Sequence, residues 1–291
     1  MPIKNKKLNW LRTIIQIAFL SVVILVSINH YRVSQGLAPL LVGSPSFHSI
    51  CPFGGVVTAY HYFTEGIFIR QTHQSSFTLM WLVLLLTLFF GPVFCGWVCP
   101  IGTVQEFVGK IGRKIFPKKY NQFIPKKIDY WLRYLRYLVL ISIVILTAQQ
   151  LRLVFQDYCP YFNLFSFWSS EVTVSAVILL GIIFVGSLFV ERPWCKYLCP
   201  LGALLGIFNL FRIIPLRRND EICINCRKCD RVCPMNIKIS DKKVIRDHQC
   251  ISCLLCTDEA SCPVEGGMEF TFLRNNKDVN KDINRGGKNE N

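Results

Sequence analysis

Four long apolar stretches limit what this chain can fold into more than any other feature of its sequence. They cover about residues 11–28, 76–98, 134–149 and 172–190. A helix needs roughly 20 apolar residues to cross the hydrocarbon core of a bilayer, so each stretch approaches that length. The apolar residues form blocks and do not recur at the period of a half-buried helix or strand. The sequence therefore predicts a mainly α membrane protein with four transmembrane helices.

Lysine and arginine residues indicate how the predicted helices are oriented. The formal net charge is +15, and basic residues precede the first stretch and fill the segment between the second and third. By the positive-inside rule, the N- and C-termini are predicted to be cytoplasmic and the protein to be multi-pass. The cytoplasmic segments of the predicted topology therefore explain the positive charge, and no nucleic-acid partner is expected. No small-x-small cleavage site follows Ile28, so the first stretch is predicted to be a retained anchor.

The predicted membrane domain, residues 1–211, contains one pattern twice. Each half has an apolar stretch, an outer loop with a Cys–Pro pair, a second apolar stretch and a Cys-x-x-x-Cys-Pro motif. The Cys–Pro pairs begin at Cys51 and Cys159, and the motifs read FCGWVCPIG and WCKYLCPLG. The sequence therefore predicts two parallel repeats related by a pseudo-two-fold axis along the bilayer normal.

The duplicated motifs contribute Cys95, Cys99, Cys195 and Cys199. Cysteines four residues apart lie on one face of a helix, and proline after the second one favours a helix break there. Two such ends related by the axis would bring four thiolates together, which is the number that one iron-sulfur cluster requires. A further metal or redox centre is one interpretation, and buried inert cysteines are the other.

The C-terminal region, residues 212–273, contains two cysteine runs. The first has the bacterial ferredoxin spacing Cys-x-x-Cys-x-x-Cys-x-x-x-Cys-Pro, in which the fourth cysteine ligates the other cluster. The sequence therefore predicts a small α+β cytoplasmic domain with two 4Fe-4S clusters. Cluster one is assigned to Cys223, Cys226, Cys229 and Cys262, and cluster two to Cys250, Cys253, Cys256 and Cys233.

The second run departs from the usual spacing, because five residues, TDEAS, separate Cys256 from Cys262 where three are typical. A short bulge near cluster one is the expected result. Zinc is the rival metal, since Cys-x-x-Cys pairs also form zinc ribbons. Two triplets that are each completed by Cys–Pro favour iron-sulfur. Residues 274–291 have little to bury and are predicted to form a disordered tail.

Several residues outside these motifs are weaker candidates. Cys51 and Cys159 are predicted to lie on the outer side, where a disulfide, a redox-active thiol pair and shared ligation with a partner all remain open. The histidines and two glutamates are interpreted as solvated or interfacial side chains, with metal ligation or proton handling as the alternative. Trp97 and Trp194 fit an interfacial aromatic belt, with stacking on a quinone as the alternative. The histidines and glutamates concerned are His30, His48, His61, His73, His248, Glu65 and Glu106.

With both motif sets, the sequence resembles the NapH/MauN/NosR-type membrane 4Fe-4S ferredoxins, and within them the NapH group of quinol dehydrogenase membrane components. The resemblance covers the four stretches, FCGWVCPIG, WCKYLCPLG and the eight-cysteine region. It implies a protein of the bacterial inner (cytoplasmic) membrane that passes electrons between the quinone pool and soluble or membrane redox partner proteins.

Three functions follow as hypotheses. The first is an electron-transfer subunit. The second is an accessory or assembly factor that reduces a metal or a disulfide during maturation of another enzyme, which would use Cys51 and Cys159. The third is a membrane scaffold whose clusters only stabilise the fold.

Overall fold

Helices form most of the part of the chain that the computed structural model describes. That part comprises residues 6–38, 55, 74–150, 158–167, 172–264 and 266–270. Cys51, His48, His61, His73, Glu65 and the predicted tail at 274–291 lie outside it. In the predicted membrane domain the α-helices are α1 (Lys6–Ser34), α2 (Gln74–Phe90), α3 (Pro100–Ile115), α4 (Lys126–Leu132), α5 (Leu135–Gln150), α6 (Pro160–Phe165), α7 (Val174–Ser187), α8 (Pro193–Tyr197) and α9 (Pro200–Leu210), with a π-helix at Phe94–Val98.

Helices α1, α2, α5 and α7 coincide with the four apolar stretches. Within the described residues, one helical segment, Leu8–Ser34, has both the length and the apolar composition needed to cross a membrane. The segments Ser76–Phe90, Val174–Ser187 and Pro200–Leu210 are apolar but shorter. The chain is therefore largely helical with one candidate span, and the arrangement of four spans in two repeats stays a prediction.

Helix α2 ends earlier than the predicted limit at residue 98 because the backbone turns at Gly91. Gly91 has φ +83°, a conformation that glycine adopts without steric cost. The π-helix follows, and α3 then begins at Pro100. Proline fits the first position of a helix, where its missing N–H would have no partner. Pro200 begins α9 in the same way. A helix therefore begins at the proline of each duplicated motif.

Packing between helices from both halves forms the core of the membrane part. Met80 and Leu84 of α2 pack with Ile143 of α5 and with Leu205 of α9. A separate cluster joins α1 to α6 through Val23, Val26, Tyr161, Phe162 and Phe165. Because Leu205 is completely buried, the helix after the second motif is held firmly between the two halves.

A small three-stranded sheet organises the C-terminal domain. Its strands are β1 (Leu216–Arg218), β2 (Val244–Ile245) and β3 (Met268–Phe270), in the order β2-β1-β3 with both pairs antiparallel. A short helix α10 (Lys228–Val232) and a 3-10 helix (Leu255–Thr257) carry parts of the two cysteine runs. The core against the sheet comprises Leu216, Met235, Ile237, Ile239, Ile245, Ile251 and Met268.

The additional residues between Cys256 and Cys262 form a compact turn. The backbone N–H groups of Ser261 and Cys262 donate to the carbonyl oxygen of Asp258 at 2.8 and 2.7 Å. The Asp258 carboxylate accepts from the N–H of Ala260 at 3.1 Å. These bonds close the insertion on itself and bring Cys262 back toward the first cysteine run.

Candidate iron-sulfur sites

The two cysteine runs share one backbone conformation. Asn225 and Arg227 in the first run have φ +53° and +54°, and Ser252 and Leu254 at the matching positions of the second have φ +49° and +60°. A left-handed conformation is uncommon for residues other than glycine and often marks a functional site. Alternation of right- and left-handed residues turns successive N–H groups to one side, a geometry that binds anions and iron-sulfur centres.

Two separate cavities collect the eight cysteines of this domain. The first is lined by Cys233, Cys250, Cys253 and Cys256, and the second by Cys223, Cys226, Cys229 and Cys262. The two groups coincide with the sets assigned to cluster two and cluster one from spacing, including the exchanged fourth cysteines. Cys233 and Cys256 are buried, whereas all four cysteines of the other set are partly exposed.

Each cavity is also lined by an arginine side chain. The positive charge of this arginine indicates whether the cavity suits a negatively charged iron-sulfur cluster. Arg212 lines the first cavity and is buried, and its Nε and Nη2 atoms have no hydrogen-bond partner within the described residues. Arg218 lines the second and directs Nη1 to the Cys223 sulfur at 3.3 Å. Buried cations need a compensating negative charge, and a cluster bound by four thiolates supplies one. The residues present therefore fit the cofactor.

The zinc alternative requires a different geometry. No three histidine, cysteine, aspartate or glutamate side chains are grouped to hold a single metal ion anywhere in the described segments. A zinc ion gathers four ligands within about 2.0–2.3 Å of one centre. A four-iron cluster instead takes one thiolate at each iron, so its thiols stand farther apart. The choice of iron-sulfur over zinc therefore rests on the ferredoxin spacing of the two cysteine runs.

The duplicated motifs bring their four cysteines to one place. Cys95 lies in the π-helix, within electrostatic range of the other three motif cysteines. Cys99 and Cys199 cap the N-termini of α3 and α9, with ψ 115° and 114°. Cys195 lies in α8. We call these four cysteines the membrane-edge thiols.

Gln105 links the two motifs directly. Its side-chain amide donates to the Cys195 sulfur at 3.8 Å, and its carbonyl oxygen accepts from the backbone N–H of Trp194 at 3.1 Å. Gln105 belongs to the helix that follows the first motif, whereas both partners belong to the second motif. A further donor, the N–H of Gly202, reaches the Cys199 sulfur at 3.3 Å. Such bonds to sulfur favour the thiolate form that binds iron.

A buried ionic network lies beside the membrane-edge thiols. The Glu106 carboxylate forms ion pairs with Arg12 and, at 2.5 Å, with Arg192. Arg192 also donates to the carbonyl oxygen of Cys95 at 2.6 Å, and Gln16 donates to Glu106 at 3.2 Å. Burial alone would raise the pKa of Glu106, but the charges of the two arginines lower this pKa to about 2. At neutral pH Glu106 is therefore a structural carboxylate that fixes α1 and both motifs together.

The first motif is in direct contact with the cluster-two loop. Trp97 Nε1 donates to the carbonyl oxygen of Ser252 at 3.0 Å. Gly96 lies so close that an added Cβ would stand 2.4 Å from the carbonyl oxygen of Ile251 and 3.3 Å from the Cys253 Cα. Cys95 packs against the core cluster that contains Cys233 and Cys256. The membrane-edge thiols and the cluster-two cysteines are therefore neighbours.

The second repeat contacts the same loop from another direction. Arg136 of α5 donates to the carbonyl oxygen of His248 at 2.6 Å, and Gln249 donates to the carbonyl oxygen of Lys196 at 3.4 Å. Lys196 itself pairs with the buried Asp129 at 2.8 Å. Both repeats thus support the segment that leads into Cys250.

The other candidate residues that the structure describes mostly pack against neighbouring side chains. Trp194 is buried against Ile183 and Cys195, which leaves no open ring face for a quinone. Cys159 caps α6 and packs on the cluster formed by α1 and α6, and His30 is exposed on α1. The His248 ring contacts the rings of Tyr134 and Tyr137, with centroids 5.6 and 6.0 Å away.

Sequence reasoning missed the polar residues that surround the cysteines, chiefly Gln105, Arg192 and Arg212. Arg192 and Arg212 follow shortly after an apolar stretch or helix, whereas Gln105 lies in α3 among charged residues. Polar and charged residues in apolar surroundings often mark functional sites in membrane proteins, and this signal could have identified the two arginines. Their partners depend on contacts between distant parts of the chain.

Comparison with a family model bears on the duplicated motifs. A family model described as a 4Fe-4S binding domain matches residues 72–119 and 172–218, and each match contains one duplicated motif. The chain is 31% identical to YccM of Escherichia coli over 77% of this chain and 63% of that protein. It is 37% identical to protein MJ0750 of Methanocaldococcus jannaschii over 65% of this chain and 76% of that protein.

The ferredoxin-type protein NapH of Haemophilus influenzae is 29% identical, over 57% of this chain and 58% of that protein. The chain thus spans less than two thirds of the length of YccM and of this NapH. No solved structure matches. The cysteine motifs, their two repeats and these relatives together show that the chain belongs to the NapH/NosR-type family of 4Fe-4S ferredoxin proteins.

Proposed function

We propose that the chain is a membrane-bound iron-sulfur electron relay that connects the quinone pool with partner redox proteins. The observation that carries the proposal is the junction between the first motif and the cluster-two loop. There Trp97 binds the carbonyl oxygen of Ser252 and Gly96 packs beside Cys253. Because electrons move between centres only over short distances, adjacent thiol sets favour a relay over a scaffold.

The order of the relay follows from these contacts. The membrane-edge thiols would hold one iron-sulfur centre, the neighbouring cysteines assigned to cluster two would hold the next, and those assigned to cluster one, across the shared core of the C-terminal domain, would hold the third. Arg192, Arg212 and Arg218 each place a cation beside one thiol set. Positive charge and hydrogen bonds near a cluster raise its reduction potential, so these three residues tune the three centres.

Membrane insertion is supported by the outer surface of the helices as well as by α1. Leu85 of α2, Ile141 of α5 and Ile182 of α7 are exposed to 58%, 59% and 63%. In water, such a continuous apolar surface would be an aggregation hazard, whereas lipid accommodates it. The proposal therefore retains four spans, with both termini and the C-terminal domain on the cytoplasmic side.

A shallow, open apolar patch near the proposed membrane interface supports exchange with a quinone. It is lined by Trp131 of α4, by Tyr134, which precedes α5, and by Leu135 and Leu138 of α5. The Tyr134 ring contacts His248, which lies two residues before Cys250. A quinol that reacts here loses two electrons and two protons and becomes a quinone. The electrons leave one at a time into the relay, and the protons pass to water; quinone reduction is the reverse.

The test uses full-length protein, purified without oxygen and placed in lipid nanodiscs. A quinol is added to oxidised protein and a quinone to dithionite-reduced protein, and the clusters are followed by electron paramagnetic resonance. We expect one of the two additions to change the redox state of the clusters. Clusters that exchange electrons with neither quinol nor quinone would leave the scaffold hypothesis as the better one.

Two sets of variants sharpen this test. Cys95→Ser and Cys199→Ser should slow quinone-linked electron exchange while leaving clusters one and two reducible by dithionite. Leu138→Trp should cover part of the patch and reduce the exchange, with Ile141→Trp, at a similarly exposed residue of α5 outside the patch, as the matched control. If both cysteine variants keep the full iron content and the wild-type kinetics, the membrane-edge thiols are not part of the relay.

A further inference from the structure

The surface of the C-terminal domain beside the cluster-one cysteines has an unusual composition. Ile224 is 64% exposed, and Arg227, Lys228 and Arg231, which follow it in the same cysteine run, are exposed as well. We call these four residues the cluster-one face. Across the described ranges, none of the three cations forms an ion pair; the basic partners of this domain's ion pairs are Arg218, Lys242 and Lys243.

Nearby carboxylates do not neutralise this face. Asp230 points inward and accepts hydrogen bonds from the backbone N–H groups of Ile239 and Ser240 at 2.6 and 2.8 Å. Asp220 is engaged by Arg218 and, at 3.0 Å, by Lys243. Glu221 is exposed. Among these residues of the first cysteine run, the three cations of the cluster-one face therefore outnumber the one exposed carboxylate.

The cluster-one side of the domain is also the accessible side. Cys223, Cys226, Cys229 and Cys262 are all partly exposed, and the hydrogen bonds of Cys223 and Cys262 are to Arg218 and Val264 of the same domain. The cluster-two loop, by contrast, is covered by Gly96 and Trp97 of the membrane part. A water-soluble electron carrier therefore reaches the relay at cluster one.

We propose that the cluster-one face docks an acidic soluble electron-transfer protein. This proposal rests on the proposed function and names the chemistry of one partner. Three unpaired cations and one apolar side chain in the same run complement a negatively charged surface, and the cations accelerate encounter by electrostatic steering. One electron passes from the reduced metal centre of the partner to the oxidised cluster held by Cys223, Cys226, Cys229 and Cys262. No bond forms or breaks, and no proton moves.

A protein fits this face better than a membrane surface does. Stable contact with lipid needs an extended apolar surface beside the basic residues. The cluster-one face has Ile224 as its exposed large hydrophobic side chain, and helix α10 has only five residues. Small electron-transfer proteins, in contrast, form limited and transient interfaces of less than about 1,200 Å².

The experiment measures how fast a reduced acidic two-iron ferredoxin transfers electrons to oxidised full-length protein in nanodiscs of neutral lipid. Wild type is compared with Lys228→Glu/Arg231→Glu in stopped-flow measurements at several salt concentrations. The matched control is Lys118→Glu/Lys119→Glu, which makes the same charge change at two exposed residues of the loop between α3 and α4. Iron content and cluster spectra verify each variant, and Lys228→Gln/Arg231→Gln provides a milder change.

We expect the second-order rate constant of the cluster-one variant to fall by about tenfold at low salt, and the difference to vanish at high salt. The control should stay within about twofold of wild type. Equal rate constants for variant and control would overturn the docking proposal. The measurement is repeated in nanodiscs with anionic lipid, and a loss confined to that arm would also overturn the proposal, because it would identify a lipid surface. If the clusters still exchange electrons with quinone, either of these two results would overturn the docking proposal but leave the proposed function intact. A wild-type protein without reducible iron would overturn both.

Discussion

Trp97 donates its indole N–H to the carbonyl oxygen of Ser252 at 3.0 Å and so joins the first membrane motif to the loop of cluster two. The two residues are 155 positions apart in sequence. Ser252 has a left-handed backbone conformation that belongs to the cysteine run, and its hydroxyl donates to the carbonyl oxygen of Phe90 at 3.0 Å. The loop is thus held by the end of α2 as well as by the π-helix.

Close approach at Gly96 is required for this junction. In Gly96→Val, the new side chain would overlap the carbonyl oxygen of Ile251, because even a Cβ would lie 2.4 Å from it. Overpacking of this kind costs about 1–3 kcal/mol and should move the C-terminal domain away from the motif. We expect weaker magnetic coupling between the centres and slower quinone-linked reduction, with an unchanged iron content.

The matched control for this variant is Gly181→Val in α7, where an added Cβ meets no atom within 4 Å. It should behave as wild type in both measurements. A Gly96→Val protein with wild-type coupling and kinetics would show that the junction does not matter for electron flow.

Gln105→Leu should alter the membrane-edge centre alone. The substitution removes the donor to the Cys195 sulfur and the acceptor of the Trp194 N–H. An unsatisfied buried N–H costs about 1–3 kcal/mol, and loss of a donor to a ligand sulfur lowers the reduction potential. A redox titration followed by electron paramagnetic resonance should show a more negative potential for one centre. Gln16→Leu, which removes bonds to Gly96 and Glu106 but none to sulfur, should leave that potential unchanged.

The ionic network predicts a defined pH dependence of stability. Because Arg192 and Arg12 lower the pKa of Glu106 from 4.5 to about 2, the carboxylate stabilises the fold above pH 4.5, and this contribution is lost as the pH falls toward 2. Glu106→Gln leaves two buried cations without a counter-charge and should cost about 3–5 kcal/mol at neutral pH. The difference in unfolding free energy from wild type should shrink below pH 4.5. A constant difference down to pH 2 would contradict the role of this carboxylate.

The ligand assignment is tested by comparing spectra of paired cysteine variants. Cys233→Ser and Cys256→Ser should change the same cluster signal, because both cysteines line the first cavity. Cys262→Ser and Cys226→Ser should change the other signal, because both line the second. If Cys233→Ser instead alters the same signal as Cys226→Ser, the fourth cysteines are not exchanged between the runs.

Much of the local structure could be predicted from the sequence. The four apolar stretches coincide with α1, α2, α5 and α7, and Pro100 and Pro200 begin helices where the motif predicts a break. These features depend on residues that are close together in the chain. The eight ferredoxin cysteines line two cavities in the sets that their spacing predicts, and their role as cluster ligands stays a prediction.

The relationships between distant elements could not be predicted in this way. No neighbouring residue in the sequence marks Gly96 as the position where Ile251 approaches. The equivalent position in the second motif is Lys196, which has a different role and pairs with Asp129. Glu106 was expected to be an interfacial or proton-handling carboxylate, yet it lies between Arg12 of α1 and Arg192, which precedes α8. Such partners depend on how the two halves pack, and residue spacing carries no information about that packing.

The central claim is that three thiol sets hold iron-sulfur centres, and the most direct test is the iron and acid-labile sulfide content of anaerobically purified full-length protein. Three four-iron clusters predict about twelve iron atoms and an equal amount of sulfide per chain. About eight iron atoms would remove the membrane-edge centre from the relay. Colourless protein without iron, or with stoichiometric zinc in its place, would contradict the account as a whole.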